Sequence, residues 1–441
     1  MKVHIYSTDI SNRLKYITQY IFGDLLGVES EIITNRDEVY TKEFIVNYSN
    51  QDVAGVQIVP EKLLFSKGIS EQNLKIKKDD GFVKLFVNDG KDIDFDLFAG
   101  AFFLISRYEE YLPHQRDQHD RFKPENSVAF QNGFLDEPIV NVWVDYFRSV
   151  LSEKYPRLEF SLPKYSFINS IDVDYAYAYK EKGPIRAIGG LGKDFLTGQW
   201  GKMMEKLKCY AGYIPDPFDT FEFVLDLHNK HSLKSIFFFH VGDYDVNDKS
   251  IPVSSNRLQA LVKGINDYAD VGLHPSYASH TKPEKLTIEF ARLAKLIHQP
   301  VTKSRYHFIK LKLPNSYREL IENDVLEDYT MGYASKMGFR AGICHPFKFY
   351  DLDYDSPTQL TVYPFYLMEA TVKYYFKEDY AQAFPYFQEY IDKVRKHQGV
   401  FTSLWHNDSF SEWGQWKGWK SVYEKMIVEA LPANNEISKD A

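Results

Sequence analysis

The sequence predicts an α/β protein in two parts: a mixed α+β module over residues 1–160, then a parallel sheet or (β/α) barrel over 161–441. Three observations carry that expectation. At roughly 100–200 residues per domain, 441 residues suggest two or three domains, or one barrel with an added module. After Leu162, short apolar runs alternate with helical patterns, which implies parallel strands joined by helices. Near residues 152–165 the stretch EKYPRLEFSLPKYS is charged and contains prolines, as a boundary between the two parts would be.

Taken in order, Lys2–Tyr6 is a short strand, and 13–26 carries Leu14, Ile17, Ile21 and Leu25 at helical spacing. Alternating runs follow at 43–48, 55–59 and 82–87. The segment DLFAGAFFLISRYEEYL predicts an apolar helix over 95–111, capped by Asp94 or Asp96. The polar PHQRDQHDRFKPENS then reads as a loop. In the second part the apolar runs end in ionisable residues. The run at 167–171 ends at Asp172, 235–239 at His240, and 270–273 at His274. A strand over 338–344 carries Arg340, and 399–404 ends at Trp405 and His406. Helical patterns at 221–229, 283–297, 316–323 and 380–397 separate them. In parallel barrels, reactive groups collect at the C-terminal strand ends, where the loops converge.

Composition narrows the function. Hydrophobic residues make up 44% and charged residues 26%, which excludes disorder for the bulk of the chain. The net charge of −8 argues against nucleic acid as a partner. Two cysteines, Cys209 and Cys344, are too few for a disulfide framework or a thiolate zinc site. There is no continuous apolar stretch of a signal peptide or a membrane span, so a cytoplasmic enzyme is expected. The 32 tyrosines and 33 phenylalanines suit either carbohydrate contact or ordinary core packing.

The chemistry-bearing residues form a series. In SIDVDYAYAY, Asp172 and Asp174 sit one residue apart at a strand end, where both carboxylates can reach one pocket. One would hold a metal and the other act as a base, unless both are turn aspartates. In ADVGLHPSYASH, His274 and His280 lie six apart, and Pro275 prevents a simple helical face. Imidazole is the commonest protein metal ligand. Arg340 would orient a neighbouring carboxylate, or is a surface cation. His406 would donate a proton to a leaving group, or is a strand-end histidine with no role. In KSRYHFIKL, alternation puts Arg305 and His307 on one face, where they would contact a sugar or phosphate.

Together, and in this order, these segments resemble the NodB-homology polysaccharide deacetylases (carbohydrate esterase family 4). The resemblance spans roughly residues 165–410 and implies a distorted (β/α) barrel that removes acetyl groups from sugars with a divalent metal. Asp172 then matches the catalytic base, Asp174 a metal ligand, and His274 the first of two metal-binding histidines. Arg340 matches the arginine that contacts the base, and Leu404 with His406 the motif that supplies the acid. His280 is expected as the third ligand, with water or another side chain as rivals. Arg305, His307 and Trp405 are expected at the substrate. The motifs depart from the family pattern in three places. The usual adjacent aspartates are split by Val173, His280 stands two residues too far from His274, and Arg340 is followed by Ala341, Gly342 and Ile343. The chain is also similar to bacterial proteins in which such a domain follows a module of this length.

The implied partner is an acetylated sugar or polysaccharide precursor. Mixed oxygen and nitrogen ligation without thiolate favours zinc, and also admits cobalt, nickel or manganese. Two alternatives stand beside this reading. One is a non-catalytic descendant that binds a glycan or partner without turnover. The other is a hydrolase for a small C–N substrate or a nucleotide-linked sugar.

Overall fold

The structure is a computed structural model and describes residues 1–432. The first part is built on four strands, β1 (Lys2–Ser7), β2 (Glu29–Ile33), β3 (Ile45–Tyr48) and β4 (Val56–Gln57), in the order β2-β1-β3-β4. Every pairing in this sheet is parallel. A hairpin of β5 (Lys77–Asp79) and β6 (Phe82–Lys84) follows. The predicted first helix is an α-helix over Asn12–Gln19, where the Ser11 hydroxyl accepts from the Leu14 amide, and it continues as a π-helical turn over Tyr20–Leu25. The apolar helix is shorter than predicted. It spans Leu97–Ile105, all nine residues buried, with Asp96 accepting from the Ala99 amide at 3.0 Å. It stops because Arg107 turns left-handed (φ 54°) and its guanidinium binds Glu109 and Glu110 just beyond. A further helix over Ile139–Lys154 was not apparent from the spacing; its Trp143 is fully buried and donates to the Val83 carbonyl.

The second part holds nine strands: β7 (Ser166–Val173), β8 (Ser235–Phe239), β9 (Asp270–Leu273), β10 (Lys303–Ser304), β11 (Glu327–Asp328), β12 (Phe347–Asp351), β13 (Ser356–Val362), β14 (Val400–Thr402) and β15 (Trp405–His406). Their order is β12-β13-β11-β10-β9-β8-β7-β14, with β15 also on β7. All pairings are parallel except β12 with β13. Among the described residues no strand pairing joins β12 to β14, so the expected barrel is an open sheet by its hydrogen bonds. A single bridge between Met368 and Leu404 lies near that gap. Helices over Phe221–His231, Pro283–Ile297, Asn315–Glu322 and Tyr380–Lys396 match the predicted helical patterns. Gly272 in β9 is a packing requirement, because a Cβ there would lie 2.7 Å from the Phe238 ring.

The expected strand over 338–344 is absent. Gly338 and Gly342 take positive φ (140° and 66°), and the segment is irregular chain that joins the two parts. The Phe339 amide donates to the Leu135 carbonyl and the Val140 amide to the Gly342 carbonyl. Tyr16 and Tyr20 donate to the carbonyls of Lys348 and Pro346, and Arg13 pairs with Asp355 at 2.9 Å. One core cluster runs from Val3 to Ala430 through both parts, so the hydrophobic core is continuous across residue 160.

Candidate metal and acid–base site

β7 is an apolar strand with parallel neighbours on both sides, and its C-terminal end opens the site. Asp172 is its penultimate residue and Asp174 follows it, so the two-residue period sends both carboxylates to one side. Asp172 is in register with His406 of β15. Each further element reaches the site by extending its strand ladder by one residue. The His274 amide, just after β9, donates to the Phe239 carbonyl, and the Arg305 amide, just after β10, donates to Leu273. Beyond Arg305 the chain leaves the sheet. The His307 amide donates to the Pro275 carbonyl at 3.2 Å, Phe308 and Ile309 turn left-handed just after it (φ 60° and 53°), and His307 Nε2 faces Asp174.

Asp174, His274 and His307 form one donor set, with one ligand atom from each and all three within 4.8 Å of one another. His274 Nε2 is 3.1 Å from Asp174 Oδ1, and His307 Nε2 is 3.6 Å from Oδ2. Both rings are held from behind. His274 Nδ1–H donates to the Arg305 carbonyl at 2.5 Å, and His307 Nδ1–H donates to Asp248 at 3.1 Å. Those bonds fix the tautomer and direct both Nε2 atoms at Asp174. A neutral Nε2 lone pair facing a carboxylate is repulsive unless a cation lies between them. A proton answers that need, and so does a divalent ion. Burial lowers His307, but Asp174 and Asp248 outweigh it and push it up to about 9. Burial raises Asp174, and His307 and His274 draw it well below the usual carboxylate range. One carboxylate and two imidazoles, oriented by outer hydrogen bonds, are a donor set that zinc accepts.

Two further pairs flank this set. Asp172 Oδ1 accepts from Arg305 at 2.9 Å, while Arg305 also donates to the Ser170 hydroxyl and the Tyr329 carbonyl and lies over the Phe238 ring. Asp172 Oδ2 lies 4.0 Å from His274 Nε2. His406 Nδ1–H donates to Glu369 at 2.8 Å, and the His406 amide donates to the same oxygen. Burial lowers His406, but Glu369, then Asp174 and Asp172, hold it well above 6.5. His406 keeps 19% of its side chain exposed, whereas Glu369 is fully buried. Asp172, Asp174, His274, His307 and His406 line one cavity of about 200 Å³. That is smaller than the sites that enclose drug-sized ligands. Tyr374 and Tyr375 form part of its wall, and so does Arg121 from the first part, which donates to the Phe308 carbonyl.

The structure therefore gathers Asp172, Asp174, His274, Arg305, His307 and His406, and leaves three expected residues elsewhere. Arg340 does not contact Asp172; it binds Glu110 through two bonds of 2.9 and 2.7 Å, and Arg305 occupies the place beside Asp172. His280 lies outside the donor set. Its ring sits edge-on to Tyr306, and neither nitrogen has a hydrogen-bond partner among the described residues. Trp405 is fully buried, stacked on Phe387 and Phe410, because alternation along β15 sends His406 to the site and Trp405 to the core. Sequence reading did not find Glu369 or Asp248, which lie outside the apolar runs that flagged the others. His240 was visible at the end of β8 and received no role; its Nδ1–H donates to the His274 carbonyl.

A family model described as a family of unknown function, DUF7033, matches residues 3–156. No curated protein matches the chain. Among solved structures, the chain is similar to a candidate polysaccharide deacetylase from Mycobacterium smegmatis, with TM-score 0.40 and 13% identity over 62% of this chain and 86% of that one. A candidate polysaccharide deacetylase involved in O-antigen biosynthesis from Bordetella bronchiseptica gives TM-score 0.32 and 12% identity, over 61% and 81%. One from Pseudomonas aeruginosa gives 0.36 and 11%, over 60% and 83%. At these TM-scores the likeness stays a likeness, and the site stands on its own distances.

Proposed function

We propose that this protein is a metal-dependent hydrolase that removes acetyl groups from an N- or O-acetylated sugar or polysaccharide precursor, with zinc as the ion. The observation that carries the reading is the convergence of Asp174, His274 and His307 in one small cavity with an arginine-held aspartate and a carboxylate-held histidine. Asp174, His274 and His307 would hold the ion. When bound, it supplies Lewis acidity, polarising an acyl carbonyl and lowering the pKa of a water. Asp172, aimed by Arg305, takes the proton of the attacking water. His406, steadied through Nδ1 by Glu369, gives a proton from Nε2 to the departing nitrogen or oxygen. Tyr374 and Tyr375 offer ring faces to a sugar at the mouth, while the cavity admits the acetyl group.

The test is acetate release from a panel of acetylated sugars and oligosaccharides by zinc-loaded protein. Asp172→Asn should lower turnover by a factor on the order of 10²–10⁴, the usual share of general base catalysis. Turnover that survives Asp172→Asn would remove Asp172 from that role, and no acetate from any member of the panel would remove the reaction.

A further inference from the structure

Two helices, Pro184–Leu196 and Trp200–Tyr210, form a hairpin between β7 and β8. Of 24 exposed large hydrophobic side chains among the described residues, nine fall between Ile185 and Tyr213. They are ordered. Ile185, Ile188 and Phe195 recur at helical spacing on the first helix, and Trp200, Met204 and Leu207 do so on the second. The opposite faces are held inward by Asp194, which is buried and bonded to Lys206, and by the buried Cys209. At the tip, Phe195 and Trp200 meet edge to face at 4.9 Å, and Leu196 is 84% exposed beside them. Gly189 and Gly192 have open space where a Cβ would stand, so packing within the protein does not require them.

The charge of the same segment is reversed from that of the chain. Residues 180–213 hold seven Lys or Arg against three Asp or Glu, a local balance of +4 in a protein of net −8. Lys193, Lys202 and Lys208 are exposed next to the apolar row. At the base of the hairpin, Lys180, Lys182 and Arg257 line an open cavity in which Glu181 is the sole carboxylate. An exposed apolar row flanked by lysines, with a tryptophan at its tip, has the pattern of helices that lie in a lipid interface. A second copy of the chain would meet it with the same positive charge, whereas an anionic bilayer complements it.

We propose that the 184–213 hairpin docks the protein on the surface of a bilayer rich in anionic phospholipid, with the Phe195–Trp200 tip in the acyl boundary and the lysines at the headgroups. The hairpin is fastened to the loop behind the candidate site, whose Asp248 accepts from His307 Nδ1. Arg186 lies over the Tyr244 ring at 4.6 Å and donates to the Ser250 carbonyl, in the loop that carries Asp248. Docking therefore brings that loop near the membrane, where a lipid-linked sugar would be met. The docking claim is independent of the reaction proposed above.

The experiment is vesicle co-sedimentation of the full chain with phosphatidylcholine alone and with phosphatidylcholine mixed with phosphatidylglycerol. Binding is expected to the anionic vesicles and to fall with added salt. A triple variant Lys193→Glu, Lys202→Glu, Lys208→Glu should weaken it by on the order of 100-fold. Phe195→Ser with Leu196→Ser and Trp200→Ser should also release the protein, and since all three side chains are exposed, the circular dichroism and thermal midpoint of the variant should match wild type. No binding to anionic vesicles would overturn the proposal, as would equal binding to both vesicle types or binding unchanged in both variants. A dimer in solution that the tip variant dissociates would assign the face to a second copy instead and overturn it as well.

Discussion

Glu369 is fully buried and spends one oxygen on both the backbone amide and the ring Nδ1 of His406. That pairing, against the opposing effect of burial, raises His406 well above its ordinary value of 6.5. A reaction that needs the His406 proton is active below this raised pKa and fails as pH rises through it. Glu369→Gln removes the largest contribution holding the proton, so the alkaline limb of kcat/KM should move to lower pH. A pH–rate profile checks it; a limb that stays in place would take His406 out of the acid role. Two of the buried arginines, Arg305 and Arg340, show how residue type alone misleads. Both lie near apolar runs, both bind a carboxylate, and only distance in the fold tells that Arg305 serves Asp172 and Arg340 serves Glu110.

At the scale of elements, what was legible is what a strand end enforces. Asp172, Asp174, His274 and His406 each follow an apolar run, and the parallel ladder sets them side by side. His307 was legible only as a substrate contact, and Glu369 was not legible as a site residue. Alternation in KSRYHFIKL puts His307 on the face of Arg305, but its place in the donor set depends on Asp174 and Asp248, which reach it from other segments. Glu369 follows the Met368 bridge and precedes a π-helical turn, and no periodicity marks it. The strand expected at 338–344 failed because its two glycines take positive φ, which a strand cannot use. The loop over 241–255 does matter to the site, through Asp248. This carboxylate accepts from His307 Nδ1 and from the amides of Tyr277 and Ala278, so it orients the ring and ties two loops. Asp248→Ala should cost about 10–100-fold in zinc affinity, the usual effect of an outer-shell partner. Competition with a chromophoric chelator reads it, and unchanged affinity would mean that His307 is positioned by other contacts.

For the whole molecule, the continuous core makes the first part a structural partner of the second. The lock between them is the buried cluster of Arg107, Glu110 and Arg340. Burial raises Glu110, yet Arg340 and Arg107 overcome it and pull it down to about 2. A depressed carboxylate adds stability that is complete above its ordinary value of 4.5 and fades as pH falls toward about 2. Arg340→Met should therefore lower urea stability at neutral pH by about 3–5 kcal/mol, because it leaves a buried charge short of its partner. The loss should shrink in acid, and a loss independent of pH would contradict the assignment. No helix among the described residues is long and apolar enough to cross a membrane. The proposed function requires that Asp174, His274 and His307 hold a divalent ion. Elemental analysis of purified wild type, Asp174→Ala/His307→Ala and His280→Ala after zinc loading tests it most directly. Near-stoichiometric zinc is expected in wild type and His280→Ala, and its loss in the double variant. No zinc in wild type, or zinc that stays in the double variant and leaves with His280, would contradict it.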